Sequence, residues 1–161
     1  MKNGRDHWRI DPRAALVFIL WTLACTPSGP VNIQAGSVEC DHCHMMIHDM
    51  RFHAQITNAH GKVRHFDSIE CALAFRKKNP SAAAAVYVED FLKPGTHLSL
   101  SRGGEPAVII QSPKIKSPMG GGLAAVRASG VDTVLARFGG ALKTPRELEE
   151  SPLDPLQGVR P

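Results

Sequence analysis

The chain has 161 residues and a formal net charge of +4 at pH 7. Half of that excess lies in residues 1–24, so residues 25–161 carry only about +2, and no basic stripe remains that would bind nucleic acid. The length suits one compact domain or two very small ones.

The first segment in chain order resembles a secretory signal peptide. A basic lead precedes residues 14–24, AALVFILWTLA. Because a bilayer-spanning helix needs about 20 apolar residues, this run predicts a removable signal over residues 1–24. The run ends at Thr22-Leu23-Ala24-Cys25, which resembles a bacterial lipobox. We therefore expect an exported chain acylated at Cys25 and held to a membrane by its lipid, the alternative being an ordinary secretory signal.

Two segments without hydrophobic periodicity flank the predicted body. Residues 25–38 are rich in Pro, Gly and Ser, so we expect a lipidated, flexible tether. Residues 147–161 contain three prolines and few large apolar side chains, and we expect a disordered tail.

Residues 39–100 predict a first ββαβ unit. Two short strands, at 53–57 and 62–66, are joined by a turn in which Gly61 supplies the required conformation. Asp67 and Glu70 resemble the capping box of a helix that ends at Asn79-Pro80. A third strand is expected at residues 85–88.

Residues 101–146 repeat this order of elements. Strands at 107–111 and 123–126 flank a glycine-rich loop, and Ser129 with Asp132 resembles the cap of a helix that ends at Gly139-Gly140. Leu142 belongs to a final strand. The sequence therefore predicts an α+β fold in which two small ββαβ units pack together.

The stretch from Glu39 to Asp49, ECDHCHMMIHD, concentrates side chains that bind metals. A Cys-x-x-Cys pair alone serves zinc sites, iron–sulfur clusters and thiol exchange equally well. The adjacent methionines favour Cu(I), because thioethers are soft ligands that contribute little to zinc sites. A further methionine lies in a Ser-Pro-Met-Gly loop with three glycines. The candidate ligands are Cys40, Cys43, His44, Met45, Met46 and Met119.

The other cysteine and the remaining histidines are weaker candidates. Cys71 falls inside the first predicted helix, where a cysteine usually packs as a small buried residue. Acylation of Cys25 leaves an odd number of cysteines, which a pure disulfide framework cannot use. His42 and His48 rank below His44 as ligands.

Two other functions stay open on the residues alone. A structural zinc module would use Cys40, Cys43 and two histidines, and would unfold on chelation. A thiol oxidoreductase would form a reversible Cys40–Cys43 disulfide, although no thioredoxin-like βαβ pattern surrounds the pair. The sequence has no nucleophile elbow, phosphate-binding loop or His-Glu-x-x-His helix, so we do not expect an enzyme.

At these residues the chain resembles the NosL family, lipoprotein copper chaperones of nitrous oxide reductase assembly, over roughly residues 39–148. Four stretches carry the resemblance in the family's order. The family's Cys-x-x-Cys-Gly-Met stretch is similar to Cys40 to Met45, and its Asp-Gly-Lys and Phe-Asp-Ser segments are similar to His60-Gly61-Lys62 and Phe66-Asp67-Ser68. Its Tyr-Val motif is similar to Tyr87-Val88, and its Thr-Pro-Met-Gly loop is similar to Ser117 to Gly120.

The resemblance implies a two-unit ββαβ fold and delivery of Cu(I) to the maturation ABC transporter and to nitrous oxide reductase. It also implies a periplasm-facing protein held to a membrane by its lipid, with the outer membrane favoured over the inner. His44 stands where the family usually has Gly, and it adds an imidazole beside the thiols.

Overall fold

Two antiparallel sheets, each accompanied by a helix, make up the fold in the computed structural model, which describes residues 29–83, 85–101 and 103–150. The predicted signal peptide and the acylation site at Cys25 lie outside these residues. Within them, no helix is both long enough and apolar enough to cross a bilayer.

The first sheet has four strands. They are β1 (Ala54–Thr57), β2 (Val63–Phe66), β3 (Ala85–Asp90) and β4 (Lys93–Ser99), in the spatial order β2-β1-β3-β4. The helix α1 (Ile69–Lys78) connects β2 to β3 and ends at Asn79, directly before Pro80, as the sequence predicts.

The second sheet has three strands and repeats the first arrangement. They are β5 (Val108–Gln111), β6 (Leu123–Val126) and β7 (Ala141–Lys143), and α2 (Val131–Phe138) connects β6 to β7. The order β6-β5-β7 matches β2-β1-β3, so in each unit the first strand lies between the other two. The predicted α+β fold of two ββαβ units is confirmed.

Two elements extend the predicted repeat. The strand β4 was not expected, because its first half carries Pro and Gly and is exposed to solvent. A short helix, α3 (Pro145–Glu150), occupies the beginning of the expected disordered tail. Leu148 is buried in the core and Glu149 forms an ion pair with Arg76 of α1, so residues 147–150 belong to the folded body. Residues 151–161 lie outside the described part of the chain.

The segment of residues 31–38 packs against the first sheet, which differs from the expected flexible tether. The Val31 N–H donates to Gln55 Oε1 at 2.9 Å, and Gln55 Nε2 donates to the Val31 carbonyl at 2.8 Å. Further along, the Gly36 N–H donates to the Ile47 carbonyl at 2.7 Å. One buried amide side chain thus pairs both backbone groups of Val31, as a neighbouring strand would.

Both helices begin differently from the sequence prediction. Ser68, not Asp67, caps α1, because its hydroxyl accepts the Cys71 N–H at 3.2 Å. A short 3-10 turn, Ala128–Gly130, precedes α2. The N-cap residue of α2 is Gly130, which has no side chain that could accept a hydrogen bond from the helix. The predicted cap at Ser129 is therefore wrong.

A shared core joins the two units. Alternate residues of β5 pack on opposite sides of the second sheet: Ile109 joins the core that contains α1 and the first sheet, and Ile110 joins a smaller core with Phe91 and Val134. The larger core also contains Leu148.

The packing of α3 gives a testable expectation. Changing Leu148 to Ala should lower the free energy of unfolding by about 2 kcal/mol or more, because a buried leucine leaves both lost apolar contact and a cavity. The matched control is Leu142→Ala at a side chain that is 54% exposed, where the change should stay within about 0.5 kcal/mol. Urea denaturation measures both, and equal losses would contradict the placement of α3.

Candidate metal centre

Three thiols and one carboxylate meet in the larger core. Cys40, Cys43, Asp67 and Cys71 each bring one ligand atom within 4.8 Å of the others. All three thiols are free, and Cys40 and Cys71 are fully buried while Cys43 is partly exposed. The cluster therefore has a closed inner side and one sulfur that reaches toward solvent.

A tight loop presents the first two thiols. The Cys40 N–H donates to the Met45 carbonyl at 2.8 Å, and the His44 N–H donates to the Cys40 carbonyl at 3.0 Å. An antiparallel bridge between Glu39 and Met46 closes the loop. The loop requires a left-handed backbone at His44, with φ of 61°, a conformation that costs an L-residue about 1–2 kcal/mol and glycine almost nothing.

Asp41 fixes this loop to β2. Its carboxylate accepts the His65 N–H at 2.9 Å and the Arg64 guanidinium at 2.8 Å, and its own N–H donates to the His65 carbonyl at 2.8 Å. The loop is thus held to β2 by both backbone and side-chain hydrogen bonds, none of which involves a metal.

The start of α1 supplies the other two ligands. Asp67 lies two residues before the helix, and Cys71 lies in its first turn. Asp67 Oδ2 accepts the Cys43 thiol at 3.5 Å, whereas Oδ1 is buried without a hydrogen-bond partner among the described residues. A buried carboxylate oxygen left unpaired is unfavourable, and a bound cation would satisfy it.

The thiols differ in their readiness to ionise. The Cys71 thiol donates to Cys40, and neighbouring backbone amides add to this, so the pKa of Cys40 falls to about 6 although burial opposes the change. Burial raises the pKa of Cys43 to about 12, and the Cys40 thiolate raises the pKa of Cys71. The lowered pKa favours the thiolate of Cys40 near neutral pH, whereas the raised pKa values of Cys43 and Cys71 favour their protonated thiols, so a metal bound by all three sulfurs would displace protons from those two.

The structure separates the candidate ligands into two groups. It brings Cys40 and Cys43 together, and Met119 packs against the same core. The side chains of His44, Met45 and Met46 are exposed, with the methionines 47% and 41% accessible. These three surface residues directly follow Cys43 along the chain.

Sequence reasoning missed Asp67 as a member of the cluster and ranked Cys71 only as a weaker candidate. Asp67 was interpreted as a helix cap, although the adjacent Ser68 is equally able to cap and does so. Cys71 resembles an ordinary core residue in a helix. The odd number of cysteines was the available signal that Cys71 needed a role other than a disulfide.

Comparisons with known proteins agree on one family. A family model described as NosL matches residues 30–149. The crystal structure of the copper chaperone NosL from Shewanella denitrificans superposes with a TM-score of 0.58 and 18% sequence identity, covering 73% of this chain and 93% of that chain. At this identity the likeness is one of fold. No curated protein sequence matches the chain significantly.

The thiol cluster predicts that Cys71 takes part in metal binding. Changing Cys71 to Ser should lower the affinity for Cu(I), the metal predicted from the sequence, by about tenfold or more, because a hard hydroxyl replaces a soft thiolate. The control is His60→Ala on the exposed β1–β2 turn, which should bind as the parent does. Anaerobic competition with a Cu(I) chelator measures both, and equal affinities in all three proteins would remove Cys71 from the site.

The left-handed residue of the loop gives a separate expectation. His44→Gly should raise the free energy of unfolding by about 0.5–1 kcal/mol, because glycine adopts this conformation without a steric cost. His48→Gly, at another exposed histidine of the same segment, should not raise it. Denaturation of the two metal-free variants side by side tests the difference. A loss of stability in His44→Gly would show that the imidazole contributes more than its backbone conformation costs.

Proposed function

The chain belongs to the NosL family, and from this premise we propose that it is an exported metallochaperone that binds Cu(I) as cargo and passes it to another protein. The observation that carries the proposal is the convergence of Cys40, Cys43, Cys71 and Asp67 in one cluster. The solved structure that the chain resembles is named a copper chaperone, which supports the same function.

The donor set fits Cu(I). Thiolates are soft ligands that select Cu(I), and three of them can surround one ion. The low pKa of Cys40 provides a thiolate at neutral pH for the first bond. The burial of Cys40 and Cys71 protects the sulfurs from oxidants in an exported protein.

Release of the cargo also has a structural basis. Cys43 is partly exposed, and the exposed side chains of His44, Met45 and Met46 follow it. A thioether or imidazole can replace one buried ligand at a time, so the ion can move outward by stepwise exchange. Met119 lies in the glycine-rich loop of the second unit and packs against the larger core. It would complete the ligand set from that side.

The destination and location are inferred from the family. We propose delivery of Cu(I) for nitrous oxide reductase maturation, with the reductase and its ABC transporter as partners. We further propose that Cys25 is acylated and that the body faces the periplasm from a bacterial membrane, the outer membrane being favoured. A protein of this kind carries its cargo without converting it and needs no catalytic residue.

One feature of the site favours zinc as an alternative metal. Asp67 adds a carboxylate to the three sulfurs, and zinc accepts carboxylate and thiolate ligands in four-coordinate structural sites. In that function the metal would hold the fold together. The thiol oxidoreductase is disfavoured, because Cys40, the thiol with the lowered pKa, is fully buried and has no access to a substrate disulfide.

A paired titration tests the proposed function. Residues 26–161 are titrated anaerobically with Cu(I) against a coloured chelator and, separately, with zinc. We expect tight one-to-one Cu(I) binding, weaker zinc binding and a metal-free protein that stays folded, because backbone bonds already hold the loop. Zinc-dependent folding without a preference for Cu(I) would support the structural module instead.

The methionines provide a second arm of this experiment. Met45→Leu and Met119→Leu should each weaken Cu(I) binding and leave zinc binding unchanged, since leucine keeps the apolar volume but lacks the sulfur. The control Met50→Leu changes a partly buried methionine of the same core and should have no effect on either metal. Unchanged Cu(I) affinity in all three variants would exclude Met45 and Met119 as thioether ligands.

A further inference from the structure

A second carboxyl group, Glu70, is buried beside the metal centre but is not one of its ligands. It lies in the first turn of α1, directly before Cys71, and is 1% exposed. A buried carboxyl group is unfavourable unless hydrogen bonds compensate for its lost hydration. Its position therefore calls for a partner.

That partner comes from the other unit of the fold. The Ser117 hydroxyl donates to Glu70 Oε1 at 2.8 Å, across 47 residues of sequence. Ser117 is also buried, at 7% exposure. This buried hydrogen bond joins α1, which carries Cys71, to the loop of residues 117–122, which carries Met119.

The same hydroxyl closes the loop. Ser117 Oγ accepts the Gly122 N–H at 2.9 Å, and the Gly120 N–H donates to the Ser117 carbonyl at 3.0 Å. Ser117 Oγ, at the beginning of the loop, is therefore hydrogen-bonded both to Gly122, at the end of the loop, and to Glu70 of α1. Movement of the loop away from α1 would break the bond to the carboxyl group first.

Gly121 allows the loop to approach this closely. A Cβ atom at Gly121 would lie 2.5 Å from Glu70 Oε1, which is closer than real Cβ atoms come, and 3.0 Å from Glu70 Cγ. The loop thus packs with its bare backbone against the Glu70 side chain. The Gln111 side chain adds a hydrogen bond to the Gly121 carbonyl at 3.2 Å.

We propose that Glu70 and Ser117 are positioning residues that hold the loop of residues 117–122 against α1 and so keep Met119 packed against the larger core, which contains Cys40 and Cys71. This inference rests on the proposed function, because it explains how one ligand from the second unit is kept near three thiols of the first. Breaking the Glu70–Ser117 bond would free Met119 and weaken Cu(I) binding, while a metal that does not use thioethers would bind as before.

The test compares Cu(I) and zinc binding in the mature chain, residues 25–161. Ser117→Ala should lower the Cu(I) affinity about tenfold, as loss of an orienting partner typically does, and leave the zinc affinity unchanged. Glu70→Gln should keep the parent Cu(I) affinity, because its amide oxygen can still accept the Ser117 hydroxyl. The matched control is Ser99→Ala, which removes another buried serine hydroxyl, one that donates to the Ser101 carbonyl at 2.9 Å, and should affect neither metal.

A double variant separates positioning from general damage. If Ser117 acts through Met119, Ser117→Ala should cause no further loss of Cu(I) affinity in a Met119→Leu background. Additive losses, or equal losses for Cu(I) and zinc, would overturn the proposal. If the parent binds Cu(I) and Ser117→Ala binds it equally well, only the positioning role is overturned. If the parent binds no Cu(I), the proposed function is overturned as well.

Discussion

The attachment of the residue 40–45 loop to the first sheet is the constraint on which the metal centre depends. The Asp41 N–H donates to the His65 carbonyl, and its carboxylate accepts the His65 N–H and the Arg64 guanidinium, so three hydrogen bonds join the loop to β2. Each such bond contributes only about 1 kcal/mol, but together they leave the loop little freedom. Cys40 is thereby fixed beside Cys71, and Cys43 beside Asp67.

The two units of the fold have different tasks at this centre. The first unit supplies the three thiols and the carboxylate, from a loop and from the start of one helix. The second unit supplies a glycine-rich loop and one face of its sheet, which completes the shared core. A shared core joins the two units, and their different loops explain why only one of them holds the thiols among the described residues.

Local sequence patterns predicted most helices and strands. Features that depend on contacts between distant residues could not be predicted in the same way. Strand alternation and Gly or Pro punctuation located the eight elements of the two ββαβ units, because those signals act within a few residues. The pairing of Gln55 with Val31 spans 24 residues and leaves no local signal. Asp67 and Ser68 are both able to cap a helix, so the sequence could not decide which was free for the metal. Cys71 was only a weaker candidate from the sequence, and the fold makes it a member of the cluster by placing it beside Cys40.

The docking of Val31 onto the sheet limits how far the protein can reach. With acylation at Cys25 as proposed, five residues lie between the acylated cysteine and Val31, the first fixed point of the body, and the six backbone steps from Cys25 to Val31 span at most about 20 Å. The folded body would then stay within a thin layer above the membrane surface. A recipient of its copper must come within that layer, so membrane proximity would select partners before any surface recognition takes place.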